Sequence, residues 1–252
     1  MPDSPHNPAA ILAKAYPRAG AYDSRWVRAN ALGENTVCQA EGLAQRMPLR
    51  ASQTVLDLGC GKATSSIFLA CEFGVTCWAV DSQTSPTESL KRARDFKCAD
   101  RVFPLRVDAH RLPFAKGFFD AIVAIDSYLY YGTDERYLGY LVEFLKPGGH
   151  IAIADVAFTR EVTSLEDAPE FLRPQFSKHW SYVHTIPWWQ RHWAKSGMVE
   201  VDCAEVLPES DALLRDYVGG RPPEQDEDAI MRAVPKDHGG LITLFRLVAH
   251  RR

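Results

Sequence analysis

The sequence lacks the features that define several broad classes of protein. Its six cysteines include no Cys-x-x-Cys pair, so no zinc site is predicted and the thiols are expected to be reduced. No long block of like charge occurs, and 29 basic against 32 acidic residues leave a net charge of −3. This balance gives no electrostatic reason to expect nucleic acid as a partner.

Long apolar runs are also missing, so no membrane span is predicted. The first seven residues contain no basic region followed by an apolar run, and a signal peptide is therefore not predicted. These absences favour a cytoplasmic location. The densest acidic stretch, residues 224–228, is interpreted as a solvated loop or the start of a helix.

The length and composition of the chain suit one α/β domain. A chain of 252 residues with 46% hydrophobic residues can bury one sizeable core, whereas two full domains would be cramped. We expect a single domain over residues 1–252. An N-terminal arm with helices covers residues 1–50, and an irregular, aromatic-rich insertion covers residues 158–186.

Strands and helices alternate through the centre of the chain. Short apolar runs predict strands, and apolar residues at helical spacing predict the helices between them. Such alternation indicates a parallel sheet with helices on both faces. The predicted strands are 54–58, 75–80, 102–107, 119–125, 150–156, 199–206 and 241–250, and the predicted helices are 24–32, 34–47, 64–73, 85–97, 134–145 and 187–196.

A glycine turn follows the first of these strands. Asp57 precedes Gly59 and Gly61, and a helix begins a few residues later. Glycines allow a ligand to approach the backbone, and a helix start presents free N–H groups. The third glycine of a dinucleotide-binding fingerprint is absent, because Thr64 occupies its place. A carboxylate at Asp57 would repel a pyrophosphate and would suit a cation, although capping of the next helix is the alternative.

Two further acids follow the second and third strands. Asp81 lies 20 residues after Gly61, a spacing at which a carboxylate can accept hydrogen bonds from ribose hydroxyls. Asp108 follows the third strand and could accept one from an adenine amino group. Together with Asp57, these acids would line one edge of the sheet.

In these motifs, residues 35–156 resemble class I S-adenosylmethionine (SAM)-dependent methyltransferases, in particular the small-molecule branch that includes quinone-biosynthesis enzymes. The resemblance lies in the segments VLDLGCGKATSSIFLA (55–70), VTCWAVD (75–81), VDAHRLPF (107–114), FFDAIVAIDSYLYYG (118–132) and YLVEFLKPGGHIAIAD (140–155). It implies a Rossmann-like seven-stranded, mostly parallel sheet whose last strand is antiparallel.

The resemblance also implies roles for individual residues. Asp57, Gly59 and Gly61 would hold the amino-acid end of SAM. Asp81 with Ser82 would bind the ribose, Asp108 with Ala109 the adenine, and Asp126 with Ser127 would face the methyl donor and the substrate. The acceptor is expected to be a small molecule.

Aromatic and histidine residues are the candidates for the acceptor side. Tyr128, Tyr130 and Tyr131 follow the fourth strand and would form a substrate wall, with simple packing as the alternative. The insertion would form a lid that excludes water. Within it, His179 and His184 are candidates for a general base, since a neutral imidazole accepts a proton near pH 7, and a structural role is the alternative for each.

Three other functions are alternatives to a metal-independent SAM-dependent methyltransferase. In a metal-dependent, catechol-type O-methyltransferase, Asp126 and Asp155 would bind Mg²⁺, but Val156 stands where that family has an asparagine. An NAD-dependent oxidoreductase conflicts with the missing glycine and with Asp57. A non-catalytic SAM-binding protein would retain the same turn and acids. The sequence leaves open whether the chain is a monomer or a homodimer.

Overall fold

The fold is centred on one seven-stranded sheet. The computed structural model describes residues 7–219 and 229–252, so the first six residues and the acidic stretch at 224–228 lie outside it. The strand order is β3-β2-β1-β4-β5-β7-β6. The strands are β1 (Thr54–Leu58), β2 (Thr76–Asp81), β3 (Val102–Arg106), β4 (Phe119–Ile125), β5 (Leu145–Phe158), β6 (Val199–Val206) and β7 (Ile242–Arg251).

Pairing is parallel from β3 across to β5, and β7 runs antiparallel to both β5 and β6. The predicted seven-stranded, mostly parallel sheet with an antiparallel last strand is thus confirmed. Helices surround the sheet: α1 (Pro8–Ala15), α2 (Ser24–Asn30), α3 (Thr36–Ala44), α4 (Thr64–Phe73), α5 (Pro86–Asp95), α6 (Leu129–Gly132), α7 (Tyr137–Val142), α8 (Ile186–Lys195), α9 (Ser210–Gly219) and α10 (Ala229–Ala233).

The central strands are buried on both faces, as expected for a parallel sheet covered by crossover helices. In β1, Val55, Leu56 and Leu58 are fully buried, and β4 is apolar and buried over almost all of its length. Because the carboxyl ends of β1 to β5 meet at one edge, the loops that follow these strands are brought together there. Among the described residues, no helix is both long enough and apolar enough to cross a bilayer.

The prediction for residues 134–150 is wrong in its boundaries. We expected a helix to Leu145 and a strand from His150, whereas α7 ends at Val142 and β5 already begins at Leu145. Leu145 pairs with Phe119 and His150 pairs with Ala121, so the intervening residues form a bulge opposite Asp120. Gly148, with a φ of +71°, supplies the left-handed conformation that such a bulge requires.

The arm with helices predicted over residues 1–50 is described from residue 7 onward, and this part packs on the domain. Tyr16 is fully buried, and Glu41 of α3 accepts hydrogen bonds from the backbone of Arg18 and Ala19 at 3.3 and 2.8 Å. The insertion at 158–186 contains short 3₁₀ and π-helical turns. Its Trp180 packs against Phe158 with ring centroids 5.9 Å apart.

Candidate active site

The glycine turn lies between β1 and α4. Gly59 and Gly61 have φ angles of +72° and +54°, which non-glycine residues adopt only at a cost. A Cβ atom on Gly59 would lie 2.5 Å from Cβ of Ser127, and one on Gly61 would lie 2.9 Å from a methyl group of Leu32. Both glycines line the same cavity. The left-handed backbone and the close neighbours therefore both restrict these two positions to glycine.

Asp57 does not line this cavity directly, contrary to the prediction that it holds the ligand. Its side chain is buried, and one carboxylate oxygen accepts hydrogen bonds from Ser65 Oγ at 2.5 Å and Ser66 Oγ at 2.6 Å. Burial raises the pKa of Asp57 to about 6, while the two hydroxyl donors act in the opposite direction. The carboxylate therefore fixes the first turn of α4, and its link to the cavity runs through Ser65.

Asp81 lies at the end of β2, beside the glycine turn. One of its oxygens accepts from the Gly61 amide at 3.1 Å, and the other accepts from the amides of Gln83 and Thr84 at 2.8 and 2.9 Å. Asp81 and Ser82 both line the cavity. The structure thus places these two predicted ribose ligands next to the predicted amino-acid site.

Asp108 and Ala109 follow β3 and line a smaller hollow of about 150 Å³ with His110 and Tyr131. Asp108 accepts hydrogen bonds from the His110 amide at 2.8 Å and lies 3.1 Å from His110 Nδ1. The hydrogen bonds from His110 lower the pKa of Asp108. Gly59, Asp81, Ser82 and Tyr131 line both this hollow and the larger cavity, so the two are continuous.

The larger cavity has a volume of about 500 Å³, and we call it the donor cavity. Its walls come from the glycine turn, the end of β2, the end of β4 and the segment before α3. Among the described residues, neither the donor cavity nor the hollow beside Asp108 is lined by a lysine or an arginine. Asp81, Asp108 and Asp126 give these walls an acidic character instead.

Asp126 lies at the end of β4 with a φ of +51°, an uncommon conformation for a residue other than glycine. Both of its carboxylate oxygens lie 2.8 Å from Nε2 of Gln39, a fully buried residue of α3. Burial raises the pKa of Asp126 well above its usual range, and the nearby Glu34 and Asp155 raise it further. A Cβ on Gly33 would lie 2.1 Å from the carboxylate, so the segment before α3 packs directly on Asp126.

A second cavity of about 180 Å³ adjoins the donor cavity, and we call it the acceptor cavity. Leu32, Gly33, Asp126 and Tyr130 line both cavities. The remaining walls come from β5, the insertion and the region of α9 and α10, with lining residues Glu34, Leu129, Asp155, Val156, His179, Trp180, Val183, Tyr217, Ala229 and Ile230.

Asp155 is the buried acid of this cavity at the end of β5. Its oxygens accept from the backbone amides of Val156 at 2.9 Å and Leu129 at 3.4 Å. Burial raises its pKa to about 7, and the charge of Glu34 contributes in the same direction. Among the described residues, no three acidic, histidine or cysteine side chains are arranged to hold a metal ion.

Only some of the residues predicted to contact the acceptor line the two cavities. Tyr130 and Tyr131 line the cavities, and so does His179. Tyr128 was predicted to belong with them, but it is fully buried and packs against Trp189 and Trp193, with ring centroids 5.8 and 5.5 Å apart. An acceptor in the acceptor cavity could not reach it, so packing is the role that fits.

His184 also lies apart from the cavity linings. Its Nδ1 lies 3.3 Å from a Glu161 carboxylate oxygen, and its ring stacks on Trp188 at 3.8 Å. Of the two histidines predicted as a general base, the structure therefore brings only His179 to the acceptor cavity.

Sequence reasoning missed the contribution of the segment before α3. Leu32, Gly33 and Glu34 line the site, and Gln39 binds Asp126. The contacts of Gly33 and Gln39 with Asp126 join positions 87 or more residues apart in the chain, and no local sequence pattern indicates them. The glycine at position 33 was the available signal, because its small size permits the close approach to Asp126.

With this geometry in place, the comparisons with known proteins agree on the family. Residues 55–149 match the model of a methyltransferase domain. The chain is 33% identical over 117 residues to methyltransferase GfsG of Streptomyces halstedii, covering 46% of this chain and 42% of that protein. It is 28% identical over 175 residues to 27-O-demethylrifamycin SV methyltransferase of Amycolatopsis mediterranei, covering 69% of this chain and 64% of that one. The matches thus span less than two thirds of either relative.

Solved structures show the same fold. Phosphoethanolamine N-methyltransferase 2 of Haemonchus contortus, in complex with SAM, superposes with a TM-score of 0.73 and 19% identity, covering 100% of this chain and 61% of that one. The [4+2]-cyclase SpnF superposes with a TM-score of 0.70 and 17% identity, covering 85% and 81%. The second name shows that the fold alone does not determine the reaction.

Residues 55–149 therefore form a methyltransferase domain, and the resemblance of the motifs to class I SAM-dependent methyltransferases is confirmed. SAM is the cofactor of this class, and the solved neighbour that holds it carries the same sheet.

Proposed function

We propose that this chain transfers the methyl group of SAM to a small molecule held in the acceptor cavity. SAM, when bound, supplies an activated methyl group on a sulfonium. The chain's own residues then have to hold two reactants in line and to exclude water, and such positioning contributes at most ~7–11 kcal/mol to the reaction barrier.

We assign each end of the cofactor to the part of the site that the sequence motifs imply. Asp108 and Ala109 would contact the adenine, Asp81 with Ser82 the ribose, and the Gly59–Gly61 turn the amino-acid end. Asp126 and Tyr130 line both cavities and would face the methyl group. The acceptor would approach from the side of His179 and Trp180.

The charge of the lining supports this proposal most directly. SAM carries a sulfonium and an amino group, whereas NAD carries a pyrophosphate. The described walls hold three carboxyl groups and neither lysine nor arginine. The carboxylates of Asp81 and Asp108 would repel a pyrophosphate, whereas they would stabilise the positive charges of SAM.

Thermal unfolding of the full chain with SAM and with NAD tests the proposal. A ligand present at 100 times its dissociation constant stabilises the folded state by about 2.7 kcal/mol, and the melting temperature should rise by about 5–10 °C for a chain of this size. We expect this shift with SAM and none with NAD. A shift with NAD alone would refute the proposal. Transfer of a labelled methyl group to a small acceptor, followed by mass spectrometry, then tests the reaction itself.

A further inference from the structure

Residues 30–33, which we call the wall segment, all line the donor cavity. Since α2 ends at Asn30 and α3 begins at Thr36, most of this segment lies outside regular secondary structure. Leu32 is 57% exposed although its side chain is apolar and lies beside Gly61. A cofactor in the cavity would lie against this wall, so its affinity depends on how firmly the wall is held in place.

Two side chains that follow the glycine turn hold the start of the wall segment. Thr64 Oγ donates to the carbonyl oxygen of Asn30, and Lys62 Nζ donates to that of Ala29, each at 2.9 Å. Both carbonyls belong to the last turn of α2, where carbonyl groups have no partner within the helix. The wall segment is therefore attached to the residues next to the glycine turn.

Arg92 of α5 links the wall segment and the glycine turn directly. Its Nε donates to Oδ1 of Asn30 at 2.8 Å, and its Nη1 donates to the carbonyl oxygen of Lys62 at 3.3 Å. Because a guanidinium group is planar and rigid, these two bonds together fix the separation of the two walls. Arg92 itself lines neither the donor cavity nor the hollow beside Asp108.

On this geometry we propose that Arg92 is a positioning residue for the cofactor. It acts through Asn30, holds the wall segment close to the glycine turn, and thereby sets how long the cofactor stays bound. This inference rests on the proposed function. The charge of Arg92 acts in the opposite sense, because a positive charge near an acidic cavity disfavours a cationic ligand. If charge alone mattered, removal of Arg92 would strengthen the binding of SAM.

The variants Arg92→Ala and Arg94→Ala test the inference as a matched pair. Both remove one arginine from α5, but Arg94 is exposed and lines neither cavity. Release of S-adenosylhomocysteine (SAH) from the full chain is measured by stopped-flow fluorescence, and the affinity for SAM is measured by calorimetry.

We expect Arg92→Ala to release SAH at least about fivefold faster than the wild type and to bind SAM correspondingly more weakly, since lost positioning acts mainly on dissociation. Arg94→Ala should match the wild type within about twofold. Equal release from the two variants, or tighter binding of SAM by Arg92→Ala, would overturn the inference.

Two further variants separate positioning from a general loss of stability. In Asn30→Ala the acceptor of the Arg92 Nε bond is absent, so the addition of Arg92→Ala should change SAH release by less than about twofold. Effects that multiply would show that Arg92 does not act through Asn30. Arg92→Lys keeps the charge and most of the side chain but cannot make both bonds with the same geometry. It should fold and release SAH faster than the wild type, and wild-type release from it would count against the inference.

The failures of the two proposals are distinguishable. If SAH does not bind the wild-type chain, the proposed function fails and this inference fails with it. If SAH binds and Arg92→Ala releases it at the wild-type rate, only the role of Arg92 fails.

Discussion

Gly61 is restricted both by its backbone conformation and by its position on the wall of the donor cavity. Its φ is +54°, its amide is bound by Asp81, and its missing Cβ leaves room for Leu32. A side chain here would add left-handed strain of ~1–2 kcal/mol and would also project from the wall of the donor cavity.

We predict that Gly61→Arg abolishes binding of SAH, measured by calorimetry, while the chain remains folded. Gly197 is the matched control, because its φ is +67° and nothing lies within 4 Å of its absent Cβ. Gly197→Arg bears the same type of strain without touching the site, so it should bind SAH as the wild type does. Full affinity in Gly61→Arg would contradict the placement of the cofactor.

Asp155 should give the ligand-free protein a measurable pH dependence. A carboxyl group whose pKa is raised from 3.8 to about 7 in the folded state binds its proton more tightly there than in the unfolded chain. Its contribution to stability is complete below pH 4 and is lost as the pH rises to about 7.

Comparison with Asp155→Asn isolates this group from histidines that titrate in the same range. The free energy of unfolding of the wild type, relative to that of the variant, should fall between pH 5 and pH 7, by at most about 1.4 kcal/mol per pH unit. Chemical denaturation at several pH values measures this difference. A difference that is constant with pH would show that Asp155 titrates normally.

Among the larger elements, the segment between α2 and α3 does more than connect two helices. Leu32 lies over Gly61, Gly33 abuts Asp126, and Gln39 of α3 binds that carboxylate. The segment forms part of the wall between the two cavities, since Leu32 and Gly33 line both of them.

Gly33→Ala should therefore disturb both stability and binding. The added methyl group would collide with the Asp126 carboxylate, and overpacking of this kind costs roughly 1–3 kcal/mol. We expect a lower melting temperature and weaker binding of SAH. Gly239→Ala, where nothing lies within 4 Å of the added Cβ, is the control. If the two variants behave alike, the segment is not packed on Asp126 as described.

How far the sequence predicts each element depends on the range of the interactions that fix it. The bounds of β1, β4 and β6 match the prediction. Apolar runs mark the buried strands β1 and β4, whereas apolar and polar residues largely alternate in the half-exposed β6. Residues 146–149, which are lysine, proline and two glycines, lie between the predicted helix and the predicted strand, but β5 extends through them because the flanking residues pair with β4. Tertiary pairing outweighed local preference at this point.

The same distinction applies to the candidate site. The strand-end acids and the glycine turn are local features, so the sequence alone indicates them. The burial of Tyr128 against α8 and the contact of His184 with Glu161 depend on partners that are distant in the sequence or unmarked by any pattern. Gln39 and Gly33 were missed for the same reason.

For the molecule as a whole, the feature that matters for function is the group of acidic side chains at one edge of the sheet. The carboxyl ends of β1 to β5 bring together a glycine turn, three carboxyl groups of the donor side and a second cavity that adds Glu34 and Asp155. The insertion at 158–186 and the segment before α3 contribute to the walls at this edge, so the fold gathers carboxyl groups where a cationic cofactor would bind.

A crystal structure of the full chain with SAH tests this account most directly. It should show the adenine beside Asp108 and Ala109, the ribose at Asp81, the amino-acid end at Gly59–Gly61, and the sulfur facing the wall shared by Asp126 and Tyr130. SAH bound elsewhere, or bound in the reverse direction with its adenine at Asp126, would contradict the account.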